Sequence, residues 1–216
     1  MTTTNDGAAP IVEQRGLWYE EFVEGARYLH RPGRTVTETD NVLFSTLTMN
    51  PQALHLDAAW SARQPFGQRL VNSMFTLATM VGMSVGQLTQ GTIVANLGLS
   101  EVSFPHPLYH GDTLYCETVV LSKRLSASRP GQGIVTLEHI GRNQDGVVVG
   151  RAVRSVLVWL RDHAPTNGPG AATEAPGGPT EASGASTGWP GGSTDAPGGS
   201  PSARGAEPSA AEGAGS

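Results

Sequence analysis

The chain has 216 residues, of which 38% are hydrophobic and 15% charged, with a formal net charge of −5. Beyond residue 163 there is no Leu, Ile, Val, Met, Phe or Tyr, and five carboxylates against Arg204 alone carry −4 of that charge, leaving the body near neutral. A near-neutral body without a dense Lys/Arg run lacks the basic stripe of a nucleic-acid binder, and a single cysteine, Cys116, excludes an intrachain disulfide and a cysteine-rich metal site.

The opening MTTTNDGAAPIVEQRG has neither the basic start nor the apolar stretch of a signal peptide, and no later apolar run reaches membrane-spanning length. These features read as a cytoplasmic protein without a membrane partner, with a flexible leader over 1–16. A body follows over 17–162. Trp18, Tyr19 and Phe22 precede a strand expected over 27–36, which Gly33 interrupts. Thr39 and Asp40 are N-cap residue types, so NVLFSTLTM is expected to be a short helix beginning near Asn41.

Between 72 and 89, Met74, Leu77, Ala78, Val81, Val85 and Leu88 recur at steps of three and four, which predicts a helix with that stripe in the core. The opposite side, with Thr76, Thr79, Gly82 and Ser84, is small enough for close approach to other backbone. From Thr92 the period changes to two, giving strands over 94–104, 113–123, 133–141 and 147–160, with NQDG at 143–146 as a hairpin turn. The segment 163–216 is rich in Gly, Pro, Ala and Ser, with Trp189 its one large apolar residue, and reads as a disordered tail. One early strand, a long central helix and four antiparallel strands describe an α+β domain in which a curved sheet wraps the helix, the hot-dog fold. Its edge strands need cover, so a homodimer or higher homo-oligomer is expected.

LTMNPQALHLDAAWSARQPFGQRLVNSMFTLA resembles the signature of the MaoC-like and (R)-specific enoyl-CoA hydratases, whose pattern runs Asp-x-Asn-Pro-x-His-x-Asp, Phe-Gly, then Ile-x-His-Gly opening the central helix. VSFPHPLYHGDTL is similar to the later strand junction of that family. The resemblance implies a hot-dog domain with an overhang segment before the central helix. It also implies reversible hydration of a 2-enoyl-CoA, with an acyl-CoA substrate and neither metal nor other cofactor. His55 falls on the catalytic histidine, Asn50 on the catalytic aspartate, Asp57 on the trailing aspartate, Phe66 and Gly67 on Phe-Gly, and Asn72 and Ser73 where His-Gly stands.

Hydration needs a group that activates water, a proton for the α-carbon, and donors for the thioester oxygen. An imidazole suits the first two tasks. Asn50 cannot exchange a proton but can hold a water; Asp57 or Asp40 is then the candidate supporting carboxylate, and Ser73 the expected amide donor at the helix tip. Asn50, Asp57, Asn72 and Ser73 are equally turn and capping types, and His30, His106, His110 and His139 read as structural or surface residues. GRTVTETDNVLF followed by LTMNPQALHLD is similar to the subgroup that hydrates branched C5 dicarboxylic acyl-CoAs such as mesaconyl-CoA. Two other functions stay open on the same fold: an acyl-CoA thioesterase, and a non-catalytic acyl-CoA-binding or assembly protein.

Overall fold

The computed structural model describes residues 14–165. The expected tail over 163–216 and leader over 1–16 therefore lie almost wholly outside the described residues. Gly16, at the leader's end, donates its amide to Gln90 O at 2.7 Å, and Arg15 makes an ion pair with Glu21.

Strand β1 covers Arg27–Thr35, β2 Ile93–Ser103, β3 Thr113–Leu125, β4 Gln132–Arg142 and β5 Val148–Trp159. They form one antiparallel sheet in the order β1-β3-β4-β5-β2. The interruption expected at Gly33 is a shift of register between His30 and Arg34, where Gly33 lies against the Tyr115 ring. Asn143 and Gly146 close the β4–β5 hairpin with Gly146 at φ 78°, the left-handed turn conformation open to glycine. Among the described residues four α-helices precede β2: α1 Glu38–Leu47, α2 Ala53–Leu56, α3 Ala58–Ser61 and α4 Ser73–Leu88. The sheet curves round α4, the arrangement expected of a hot-dog domain.

The ends of α4 match the expected helix, but its orientation does not. Thr76, Met80, Ser84 and Leu88 are its buried residues, whereas Met74 is 50% exposed. Leu77, Val81 and Val85 are half-buried and Ala78 and Gly82 exposed. Apart from Leu88, the stripe assigned to the core thus turns away from the sheet of its own chain, and Thr76 and Ser84 of the small side turn in with Met80. The reason is in the floor beneath it: Gly141 and Gly150 are register partners on β4 and β5, and a Cβ at either would meet Met80 Sδ at 2.8 or 2.7 Å. Two missing side chains make the dent that admits Met80, so the helix seats where the sheet is thinnest.

Two apolar clusters flank that seat. One gathers Phe22, Leu88, Val120, Leu137 and Val156; the other Val36, Val71, Met80, Leu108, Leu114 and Val149. A polar row also crosses the sheet: His30 Nδ1 bonds Gln87 Oε1 at 2.9 Å, and the Thr118 hydroxyl joins His30 Nε2 at 2.7 Å to His139 Nδ1 at 2.8 Å. Gln87 Oε1 accepts from His30 Nδ1–H, so Thr118 donates to His30 Nε2 and accepts from His139 Nδ1–H. Burial, then the charge of Arg154, holds His139 down to about 3, which keeps it the neutral ring this row requires.

Candidate active site at the tip of the central helix

Helix α1 starts earlier than the sequence suggests. Thr37, not Thr39 or Asp40, is its N-cap: the Thr37 hydroxyl accepts the Asp40 amide, and the Asp40 carboxylate takes the Thr37 amide in return. Partial burial opposes ionisation of Asp40, but the Thr37 amide and hydroxyl and the Arg34 guanidinium together hold its carboxyl below the ordinary value. The helix ends where Met49 takes a left-handed φ of 55°. Asn50 then bonds Ser45 O through its amide and receives the Gln52 amide on Oδ1 at 3.1 Å. This turn launches α2, which carries His55. Asp57 caps α3 by accepting the Trp60 amide at 2.8 Å, and Gly67, at φ 69°, closes a turn on Gln64 that brings Phe66 back toward α4.

The expected supporting carboxylates are therefore spent elsewhere. Asp57 is a helix cap and Asp40 half of a capping box with an ion pair to Arg34; among the described residues neither bonds His55. Nor does Asn50.

His55 and the start of α4 do come together, and the side chain that joins them is Asn41. It is fully buried. Its Nδ2 hydrogens are shared among His55 O at 3.1 Å, Leu70 O at 3.1 Å and His110 Nε2 at 2.9 Å, while its Oδ1 accepts the Asn72 amide at 2.8 Å. Because Asn41 donates, His110 Nε2 must accept and its ring is neutral. Burial, then the Arg69 charge, lowers the His110 pKa against the opposing pull of Glu38, which agrees with that protonation state. Sequence reasoning missed both Asn41 and His110 as site residues. One usable signal is that Asn41 and Ser45 are four apart, hence on one helix face, and both are buried while Leu47 on the same helix is 74% exposed.

His55 is 8% exposed. Its Nδ1 donates to Leu70 O at 3.0 Å; a carbonyl can only accept, so the neutral ring carries its proton there and leaves the Nε2 lone pair free. Three residues beyond Leu70 the helix begins. Asn72 caps it, its Oδ1 taking the Met74 amide at 3.0 Å and its Nδ2 bonding Ser45 Oγ at 3.2 Å. Among the described residues nothing accepts from the amides of Ser73 and Phe75, which are left as donors at the positive end of a helix dipole. A cavity of about 190 Å³ opens on this tip, walled by Leu70, Ser73, Thr76, Phe66, Val149 and the run 104–108. His55 is not itself on that wall; Leu70, whose carbonyl holds the ring, is. Phe66 and Ser73 are on it, while Gly67 and Asn72 are not.

Residues 21–143 match the model of the MaoC like domain. The chain belongs to the MaoC-like family. It is 29% identical over 156 residues to a mesaconyl-CoA hydratase of Haloarcula marismortui, an alignment that takes in 72% of this chain and 43% of that protein, so it spans less than half the length of this curated relative. A solved neighbour is an R-hydratase from Pseudomonas aeruginosa, 26% identical with a TM-score of 0.57, covering 67% of this chain and 87% of that one. A Mycobacterium tuberculosis protein described as a double hotdog fold is 22% identical with a TM-score of 0.61, covering 77% of this chain and 53% of its own, and shares the fold. Among the described residues of this MaoC-like chain, no group of three His, Cys, Asp or Glu side chains could hold a metal ion, and no helix is long and apolar enough to cross a membrane.

Proposed function

We propose that this chain reversibly adds water to a short 2-enoyl-CoA thioester, with a branched C5 dicarboxylic acyl-CoA such as mesaconyl-CoA as the preferred substrate. The observation that carries this is the His55 ring, locked by Leu70 O into the tautomer whose Nε2 can accept a proton, next to a helix tip with two free amides. Water donates a proton to Nε2 and attacks the β-carbon; negative charge develops on the thioester oxygen, where the Ser73 and Phe75 amides receive it. The imidazolium then returns the proton to the α-carbon, so atoms and charge balance without a metal or redox group. Asn50, its carbonyl held by Gln52, keeps Nδ2 to orient the water. Asn cannot exchange a proton, so both transfers fall to His55. A cytoplasmic setting and the absence of any added cofactor belong to the same proposal.

The cavity favours a short acyl group: about 190 Å³ is small beside the roughly 300–1,000 Å³ of common ligand pockets. Loss of enoyl absorbance, followed with mesaconyl-CoA and crotonyl-CoA, tests the assignment. The expected kcat/KM is about 10-fold or more in favour of mesaconyl-CoA, the size of discrimination that one extra polar contact supplies. A preference for crotonyl-CoA would remove the dicarboxylic assignment, and release of free CoA from a saturated acyl-CoA would replace hydration with thioester cleavage.

The partner proposed for the uncovered apolar surface is a second copy of this chain. Edge strand β2 shows Leu97, Leu99 and Val102 to solvent; elsewhere Leu77, Val81 and Val85 of α4 are only half-buried and Leu43 and Leu47 of α1 are exposed. Unpaired edge amides beside an apolar face are matched by the same strand running antiparallel across a twofold axis. The double hotdog relative offers a precedent of two such units in one chain. Sedimentation should give a dimer, and L99D should shift it to monomer with a dissociation constant raised about 100-fold, since a buried unpaired carboxylate is strongly disfavoured. A monomeric parent at micromolar concentration would rule the partner out.

A further inference from the structure

The cavity at the α4 tip has polar groups at two places on an otherwise apolar wall. One is the helix tip at Ser73. The other is His106, the only ionisable side chain on the wall. Thr76 is also there, but its hydroxyl already bonds Asn72 O at 3.5 Å. All five residues of the run 104–108, Phe104, Pro105, His106, Pro107 and Leu108, face the cavity, so the imidazole is mounted between two prolines whose fixed φ leaves little backbone freedom to lose on binding. His106 Nδ1 donates to Val148 O at 3.0 Å, which ties the loop to the start of β5 and fixes the ring. Its second nitrogen, Nε2, has no partner among the described residues.

A loop histidine that served only to anchor 104–108 would use its Nδ1 bond and face away from the cavity. This one is an exposed residue on the cavity wall whose Nε2 has no partner among the described residues, and no acidic side chain lines the wall to compete for it. We propose that His106 is the residue that reads a free carboxylate on the acyl group, through Nε2–H in the imidazolium form, while the thioester carbonyl sits at the Ser73 tip. A small cavity with an anion donor at each of two positions suits a short diacid joined to CoA through one end, and leaves a donor idle for a monoacid. This assignment rests on the acyl-thioester occupant proposed above, but not on hydration itself.

The test therefore reads binding as well as turnover. Dissociation constants of succinyl-CoA and butyryl-CoA, saturated and unreactive toward water addition, are measured by calorimetry on the full chain and on H106F and H106Q. Succinyl-CoA should bind the parent at least ~10-fold more tightly than butyryl-CoA, as a charge-assisted hydrogen bond provides. H106F should erase that difference, and H106Q should restore only part of it. The ratio of kcat/KM for mesaconyl-CoA to that for crotonyl-CoA should fall by the same ~10-fold in H106F. Equal weakening of both ligands, or no preference in the parent, overturns the role of His106. Failure of hydration with the succinyl-CoA preference intact removes the catalytic proposal and leaves His106 as the carboxylate reader.

Discussion

Replacing His55 by asparagine should lower kcat for enoyl-CoA hydration about 10³-fold and leave the fold in place, within the roughly 10²–10⁴-fold range attributed to a positioned acid–base group. Asparagine is the informative choice because its Nδ2 occupies nearly the position of histidine Nδ1. The variant can still donate to Leu70 O, the bond of 3.0 Å that holds the ring, while Nε2 and its lone pair are gone. A loss of rate without a loss of thermal midpoint then assigns the effect to proton transfer. His55→Ala, by contrast, removes both and leaves the Leu70 carbonyl without that donor, so it should also destabilise by about 1–2 kcal/mol. Retention of more than a tenth of the parent rate in H55N would show that another group activates the water.

Some of this architecture is readable from residues and some is not, for reasons that lie in the physics of the elements. Helix α4 begins and ends where its period and its Asn72 cap say, and the four later strands fall within two residues of their expected ends because alternation and turn residues are local signals. Periodicity reveals that a helix has an apolar face without saying what that face meets. In α4 the sheet takes Thr76, Met80, Ser84 and Leu88 because Gly141 and Gly150 open room for Met80, and the pairing of those glycines is a property of β4–β5 register. Helix α1 repeats the inversion, with Asn41 and Ser45 inside and Leu47 outside. Motif spacing singled out His55 and the α4 tip, which the fold joins through Asn41. It could not separate a capping oxygen from a catalytic one, since both act as acceptors for a nearby donor, and Asp57 and Asp40 proved to be caps. Asn41 escaped notice because its partners lie 14, 29, 31 and 69 residues away in the chain.

The substitution with the largest expected effect on stability is Asn41→Leu. Leucine is close in volume and fits a buried helix position, so the change isolates the polar contacts from packing. It leaves the Asn72 amide without its acceptor and the His55 carbonyl and His110 Nε2 without their donor, while Leu70 O keeps only the His55 Nδ1 bond. At about 1–3 kcal/mol for each orphaned group, and with incomplete additivity, the expected loss is about 3–4 kcal/mol in urea unfolding. Asn41→Asp separates donor from acceptor. Its carboxylate keeps the Asn72 amide but turns an acceptor toward two carbonyls and His110 Nε2, where Nδ2 used to donate. Protonating His110 relieves part of that conflict, so in this variant the folded-state pKa of His110 is raised above its unfolded value near 6.5. The compensating stability is then present below about pH 6.5 and lost as pH rises through the folded pKa. N41D should accordingly lie closer to the parent at about pH 5.5 than at about pH 8. Unfolding of N41L at the parent's urea midpoint, or an N41D deficit that ignores pH, would mean that Asn41 does not hold the site together.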